Sequence, residues 1–339
     1  MSYLYLSKNI TDLAFADGNI MDIRACYFQA GIHEVLQSID KEFVGLVEVK
    51  KDFREISSFL LFNKIRELKG FPILNSSLHM AFTGKAGMGK SSVASKLALV
   101  LRNLGYLTKG HTLFLTREDF IGQYVGHTAP KTKENLQRAR GGVLFIENAD
   151  LLYKQKSKRD YGPEAIQVLL QVMENQRDDL ILIFSGEKTK IGTFFRCNPG
   201  VASRIGNHID FTNYNVEELM CISLFMLQNQ NRYIFENVSF NLLKFYIRQL
   251  ILCPTFSNAR TIQIFLNQLT FYQAARIQKM LSINRLINFK SLITIKEEDF
   301  YRFTSADFFN IVGTRDIRVL DEFLQIPYKI AEELTIAFA

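Results

Sequence analysis

Tryptophan is absent from this 339-residue sequence, cysteine occurs four times, and no stretch nears the ~18 apolar residues of a membrane span. Cys26, Cys197, Cys221 and Cys253 lie far apart, and none belongs to a C-x-x-C pair. That spacing gives no zinc site and no disulfide framework, and it suits a reducing compartment. The opening residues, MSYLYLSKNITDLAF, lack a basic stretch followed by a long apolar core, so no secretory signal is expected. They include acid and few arginines, unlike a transit peptide. There is also no long basic run. The 41 basic and 34 acidic residues leave a charge of +7 spread along the chain. Such a surface suits anionic partners without forming a nucleic-acid stripe. A soluble protein is expected, with neither membrane nor nucleic acid as its partner.

What is present is an ordinary globular balance, 47% hydrophobic and 22% charged, long enough for two or three domains. Residues 1–70 read as a helical segment, because apolar residues recur at three- and four-residue steps through "GIHEVLQSIDKEFVGLVEVKKDFREISSFLLFNKIRELKG". From 71 to 215 short apolar strands alternate with amphipathic helices: "LHMAFTG", "KSSVASKLALVLRNLG", "HTLFLT", "KTKENLQRAR", "GGVLFIE", "PEAIQVLLQVMENQ", "DLILIFSG". This alternation predicts an α/β core, a parallel sheet covered by helices on both faces. Residues 216–308 read as a small helical domain, and 309–339 as a helical tail.

The stretch "GKAGMGKS", Gly84 to Ser91, satisfies G-x-x-x-x-G-K-[ST] between a strand and a helix. Glycines at 84, 87 and 89 let the backbone curl, so that the amides of Lys85, Ala86, Met88 and their neighbours turn toward phosphate oxygens. The helix beginning at Lys90 adds its positive end. Lys90 is expected at the β- and γ-phosphates, Ser91 at a magnesium ion, and Ser92 beside it. ATP and Mg2+ are the expected cofactors.

"GVLFIENAD", Gly142 to Asp150, is the second half of such a site with a change. A carboxylate at the strand end meets the metal, and the next residue activates water. Glu147 can take the metal role, one methylene longer than the usual aspartate. Asn148 stands where a glutamate is usual, and an amide accepts no proton from water. Loss of a positioned base costs a factor of about 10²–10⁴, so the chain should bind ATP and turn it over weakly. Asp150 is a substitute carboxylate only if the backbone follows a different path.

The segments "GQYVGHTAPKT", "RDYGPEAIQVLLQVMENQRDDL" and "FFRCNPGVASRI" followed by "HIDF" resemble red-type Rubisco activase, the CbbX family of AAA+ ATPases. The likeness runs from about Gly31 to Phe308. It implies that Val44, Gly45 and Leu46 read adenine, and that Tyr124, Val125 and Gly126 form a pore loop. Arg204 would be the arginine finger serving a neighbour, with Arg196 as the fallback. Arg260 would be the second sensor on a lid helix capped by Ser257 or Asn258. The first-sensor strand departs from the family pattern, with Ser185-Gly186-Glu187 in place of Ala-Gly-Tyr.

The resemblance further implies a chaperone-like ring hexamer, alone or mixed with an intact paralogue. It would pull the C-terminal tail of the Rubisco large subunit to free inhibitory sugar phosphates, with a sugar phosphate as regulator. The compartment would be a plastid stroma, otherwise the cytoplasm. Twenty-nine phenylalanines and many Ile, Asn and Lys agree with an AT-rich organellar gene. The alternative is a diverged ATP-binding scaffold that no longer acts on Rubisco, motivated by Glu187 and the tail.

Overall fold

The computed structural model describes residues 23–72, 77–124, 126–153, 160–174, 179–230, 232–283, 288–304, 307 and 310–311. Val125, the first 22 residues and nearly all of the expected C-terminal tail lie outside them. The chain divides into two compact units, residues 1–85 with 89–212, and residues 86–88 with 213–339.

The first unit opens with three helices, α1 (Ile23–Gln29), α2 (Ile32–Glu42) and α3 (Val47–Leu68). They break where left-handed backbone is needed, at Gly31 (φ 63°) and at the consecutive Gly45 (φ 63°) and Leu46 (φ 51°). The sheet has five parallel strands in the order β2-β3-β4-β1-β5. They are β1 (Met80–Thr83), β2 (Thr112–Leu115), β3 (Val143–Ile146), β4 (Ile181–Gly186) and β5 (Asn207–Asp210). The three central strands are buried along their whole length, as strands covered on both faces must be. The edge strands β2 and β5 are partly exposed.

Helices α4 (Lys90–Asn103), α5 (Arg117–Phe120), α6 (Thr128–Ala139), α7 (Gly162–Glu174), α8 (Lys188–Cys197) and α9 (Pro199–Ala202) connect them. Ile166 and Leu169 of α7 and Ile191 and Phe194 of α8 join Leu144, Ile146, Leu182 and Phe184 in one core. Gly105 (φ 78°) ends α4, its N–H meeting Arg102 O at 3.0 Å or less (2.9 Å). Ahead of β1, His79 is buried and its Nδ1 accepts the Leu182 N–H (3.0 Å). Burial pushes its imidazole down to about 4, so the ring stays neutral.

The second unit is mainly helical: α10 (Val216–Leu224), α11 (Asn237–Leu252), α12 (Ala259–Ile283), α13 (Phe289–Ile293) and α14 (Glu297–Phe300). Asn215 and Glu218 form a reciprocal capping box at the start of α10 (2.8 and 2.9 Å). Two two-residue strands that the helical periodicity hides, β6 (Ile234–Phe235) and β7 (Thr294–Ile295), pair in parallel. Tyr246, Phe265, Phe300 and Phe303 make an aromatic core, with Phe265 and Phe303 stacked at 4.9 Å. Arg276 of α12 is also buried. Its Nε and Nη2 donate to the two carboxylate oxygens of Asp299 (2.7 and 3.1 Å), and Nη2 also donates to Thr294 O (2.8 Å). The Asp299 side chain is fully buried and that of Arg276 is 6% exposed. One ion pair thus ties the long helix to β7 and α14.

Candidate functional site

The loop between β1 and α4 has left-handed or extended positive-φ backbone at Gly84 (146°), Gly87 (71°) and Gly89 (85°). Side chains are disfavoured by conformation at all three, and by space as well at Gly84 and Gly87. A Cβ at Gly84 would stand 2.6 Å from Phe211 O. Gly89 caps α4 with no side chain on the first-turn amides, and the Phe43 ring packs near it, 3.5 Å from where a Cβ would stand. Lys90 Nζ lies over the loop, donating to Gly84 O (2.8 Å) and Lys85 O (2.6 Å). Ser91 is half-buried and Ser92 exposed in the first turn. A curl that only glycine tolerates, an uncapped helix start and an ammonium folded over the carbonyls together fit a polyphosphate with its metal.

The segment ahead of α3 abuts this loop through Phe43. Gly45 and Leu46 follow in consecutive left-handed conformation, and the buried Leu46 carries the strain that a non-glycine residue has there, on the order of 1–3 kcal/mol.

Glu147 follows β3, its N–H donating to Leu115 O (2.8 Å). It stands one residue past the Ile146–Phe184 pair, level with Ser185, which in turn is level with Phe82 of β1. At ~4.8 Å per strand, Glu147 is therefore ~10 Å across the sheet from the strand carrying the phosphate loop. Asn148 is exposed and left-handed (φ 48°, ψ 53°), turning the chain into a short 3-10 segment, Ala149–Leu152. That turn sends Asp150 back to the end of β4, where a Cβ on Gly186 would lie 2.9 Å from Asp150 Oδ1. Gly186 O in turn accepts the Gly84 N–H (3.0 Å) at the entrance of the phosphate loop. Burial raises the Asp150 carboxyl above its ordinary range, opposed by Lys190. Asp150 lines a cavity of about 350 Å³ with Tyr153, Lys190 and Phe194. Glu187, the unexplained acid, pairs with Lys190 on the same surface (2.9 Å).

Tyr124 is 68% exposed with its ring edge-on to His127 (5.5 Å), and Gly126 (φ 81°) follows in open space. Arg204 lies in the turn between α9 and β5. Its guanidinium pairs with Glu174, and its backbone oxygen accepts from Ser77 Oγ. Arg196 is exposed on α8 and donates to Thr193 Oγ1 (3.1 Å). In the second unit Arg260 is exposed in the first turn of α12. The backbone oxygen of Asn258 accepts the Ile262 N–H (3.2 Å) at the start of α12, its side-chain amide donates to Ala86 O (3.2 Å), and Asn258 itself is left-handed (φ 48°). Phe43, Ser77 and Glu174 carry no motif; only contact in space brings Phe43 to the phosphate loop and Ser77 and Glu174 to Arg204.

A glycine-curled loop after a central parallel strand, an acidic end two strands away and a separate helical unit define a P-loop ATPase of the AAA class. The AAA family (ATPase family associated with various cellular activities) matches residues 80–212, and the AAA lid domain matches 215–307. Among curated relatives, a CfxQ homolog of Galdieria sulphuraria is 47% identical over 86% of this chain and 96% of its own length. Protein CbbX of Cereibacter sphaeroides is 45% identical over 86% of this chain and 93% of its own. The chloroplastic ribulose bisphosphate carboxylase/oxygenase activase of Cyanidioschyzon merolae is 45% identical over 82% and 94%. The chain belongs to the CbbX/CfxQ family of AAA ATPases.

Proposed function

We propose that this chain is an ATP-binding subunit of a Rubisco-remodelling ring, impaired in hydrolysis at its own site and working beside a paralogue with an intact Asp-Glu strand. The observation carrying this reading is the contrast within one sheet. The phosphate loop keeps every residue its chemistry needs, while the residue after Glu147 is an exposed amide on a left-handed turn. Magnesium ATP, when bound, supplies a phosphoanhydride bond open to attack by water. Around it Lys90 and the loop amides bind the phosphates, Ser91 and Glu147 hold the metal, and Val44, Gly45 and Leu46 read the base. Asn148 can orient a water but cannot take its proton. Arg204 would serve the neighbouring subunit, and Arg260 the lid side of the nucleotide.

Tyr124 and Gly126 support the pulling role. A large exposed ring on a turn with room to move grips a peptide without demanding a sequence. The substrate would be the tail of the Rubisco large subunit, the regulator a sugar phosphate, the assembly a hexamer and the compartment the plastid stroma. The Cyanidioschyzon merolae relative, a chloroplastic ribulose bisphosphate carboxylase/oxygenase activase, supports the Rubisco assignment.

Two measurements test this. Steady-state ATPase of the chain alone should be low. Titrating it into a relative whose strand ends Asp-Glu should raise the relative's rate, and Arg204→Ala should remove the gain. No stimulation, or stimulation indifferent to Arg204→Ala, rejects the mixed ring. Binding of a labelled large-subunit tail peptide to the ATP-loaded assembly should be lost in Tyr124→Ala. Binding unchanged by that substitution would favour a scaffold that has left Rubisco.

A further inference from the structure

Arg204 is already engaged within its own chain. Nη2 is paired with the carboxylate of Glu174, the last residue of α7, and Nη1 donates to Gly200 O (2.6 Å). Both terminal nitrogens of the guanidinium therefore have partners in cis. The backbone at this point is fastened separately. Arg204 N–H donates to Val201 O (3.0 Å), Arg204 O accepts from Ser77 Oγ, and Gly206 N–H donates to His79 O (2.9 Å). The arginine thus has a fixed root, and only its side chain needs to move to meet another anion. Arg196, by contrast, holds a neutral threonine hydroxyl.

The strength of the Glu174 contact decides what it can do. The Glu174 side chain is 59% exposed and that of Arg204 29%, so water screens the pair and its net worth is small. A phosphate carries more charge than a carboxylate and accepts a guanidinium on two edges. It would also repel the Glu174 carboxylate. The pair can therefore restrain the arginine yet yield to a phosphate.

We propose that Glu174 is a positioning residue that parks Arg204 in cis and competes with a neighbour's nucleotide phosphate for the guanidinium. This rests on Arg204 acting in trans. Subunits meeting a neighbour without nucleotide would keep the arginine parked, and subunits meeting a loaded neighbour would exchange one exposed ion pair for a stronger contact.

The test is titration of the full-length Glu174→Gln chain into an Asp-Glu relative with saturating MgATP, beside the wild type. Glutamine keeps size and acceptor but removes the charge. The subunit concentration giving half-maximal stimulation should fall about two- to fivefold, the range that an exposed ion pair can supply, while the maximal rate stays the same. Because the competition is between charges, the gap between variant and wild type should close as salt is raised from about 0.05 to 0.5 M. A merely structural role for Glu174 would not produce that convergence. Unchanged half-maximal concentration, a rise in it, or a gap indifferent to salt overturns the parking role. Arg204→Ala, run alongside, separates the two ideas. If it abolishes stimulation while Glu174→Gln behaves as wild type, the trans arginine stands and the parking role falls. If Arg204→Ala has no effect, both fall.

Discussion

Asn148→Glu is expected to raise single-turnover ATP hydrolysis by the pure chain by about 10²–10⁴, the range supplied by a positioned general base. The variant restores a proton acceptor one residue beyond Glu147, on an exposed position where nothing need be displaced. The gain carries a structural cost. Asn148 is left-handed (φ 48°), a conformation that asparagine tolerates and glutamate resists by ~1 kcal/mol. The variant should therefore melt a few degrees lower while hydrolysing faster, a pairing that neither a global stabilisation nor a contaminating ATPase would give. Equal rates in variant and wild type would mean that another group takes the proton. The carboxylate then to be tested is Asp150, standing against Gly186 beside the entrance of the phosphate loop. In that event Asp150→Asn should depress the wild-type rate.

Asp299→Ala should destabilise the helical second unit by ~3–5 kcal/mol, because it leaves the Arg276 charge buried without its counter-ion. The carboxylate also accepts the Lys296 N–H (2.9 Å), so the start of α14 loosens at the same time. Differential scanning calorimetry should show a lid transition lowered by roughly 6–20 °C, at ~2–4 °C per kcal/mol. Replacing both partners by apolar residues of similar volume, Arg276→Met with Asp299→Leu, should recover most of the loss. A single-variant shift under ~1 kcal/mol would show that the pair does not anchor this unit.

The phosphate loop could be read from sequence because its chemistry is contiguous: eight residues, three glycines and a lysine suffice. The three central strands were equally visible, since burial on both faces leaves an unbroken apolar run. Edge strand β5, "NHID", has only Ile209 fully buried, and two-residue strands such as β6 and β7 have no periodicity to read. The long N-terminal helical stretch was legible in kind, but its breaks depend on backbone sign at Gly31, Gly45 and Leu46. The Asn258 amide's bond to a carbonyl 172 residues away in sequence is likewise invisible to any local pattern. Arg204 and Glu174 are separated by 30 residues, and Arg276 and Asp299 by 23, so no spacing rule announces either pair. Folding creates them.

The register of β1 and β5 has one more implication. The two strands run parallel with Met80 opposite Asn207, so Arg204, bonded to Ser77, sits at the far end of the sheet from Gly84. Six residues of near-extended chain separate Ser77 from Gly84, a span of ~20 Å, and an outstretched arginine covers about a third of it. No rotamer can bring that guanidinium home to its own triphosphate. If Arg204 serves a neighbour as proposed, dilution alone should silence what it contributes.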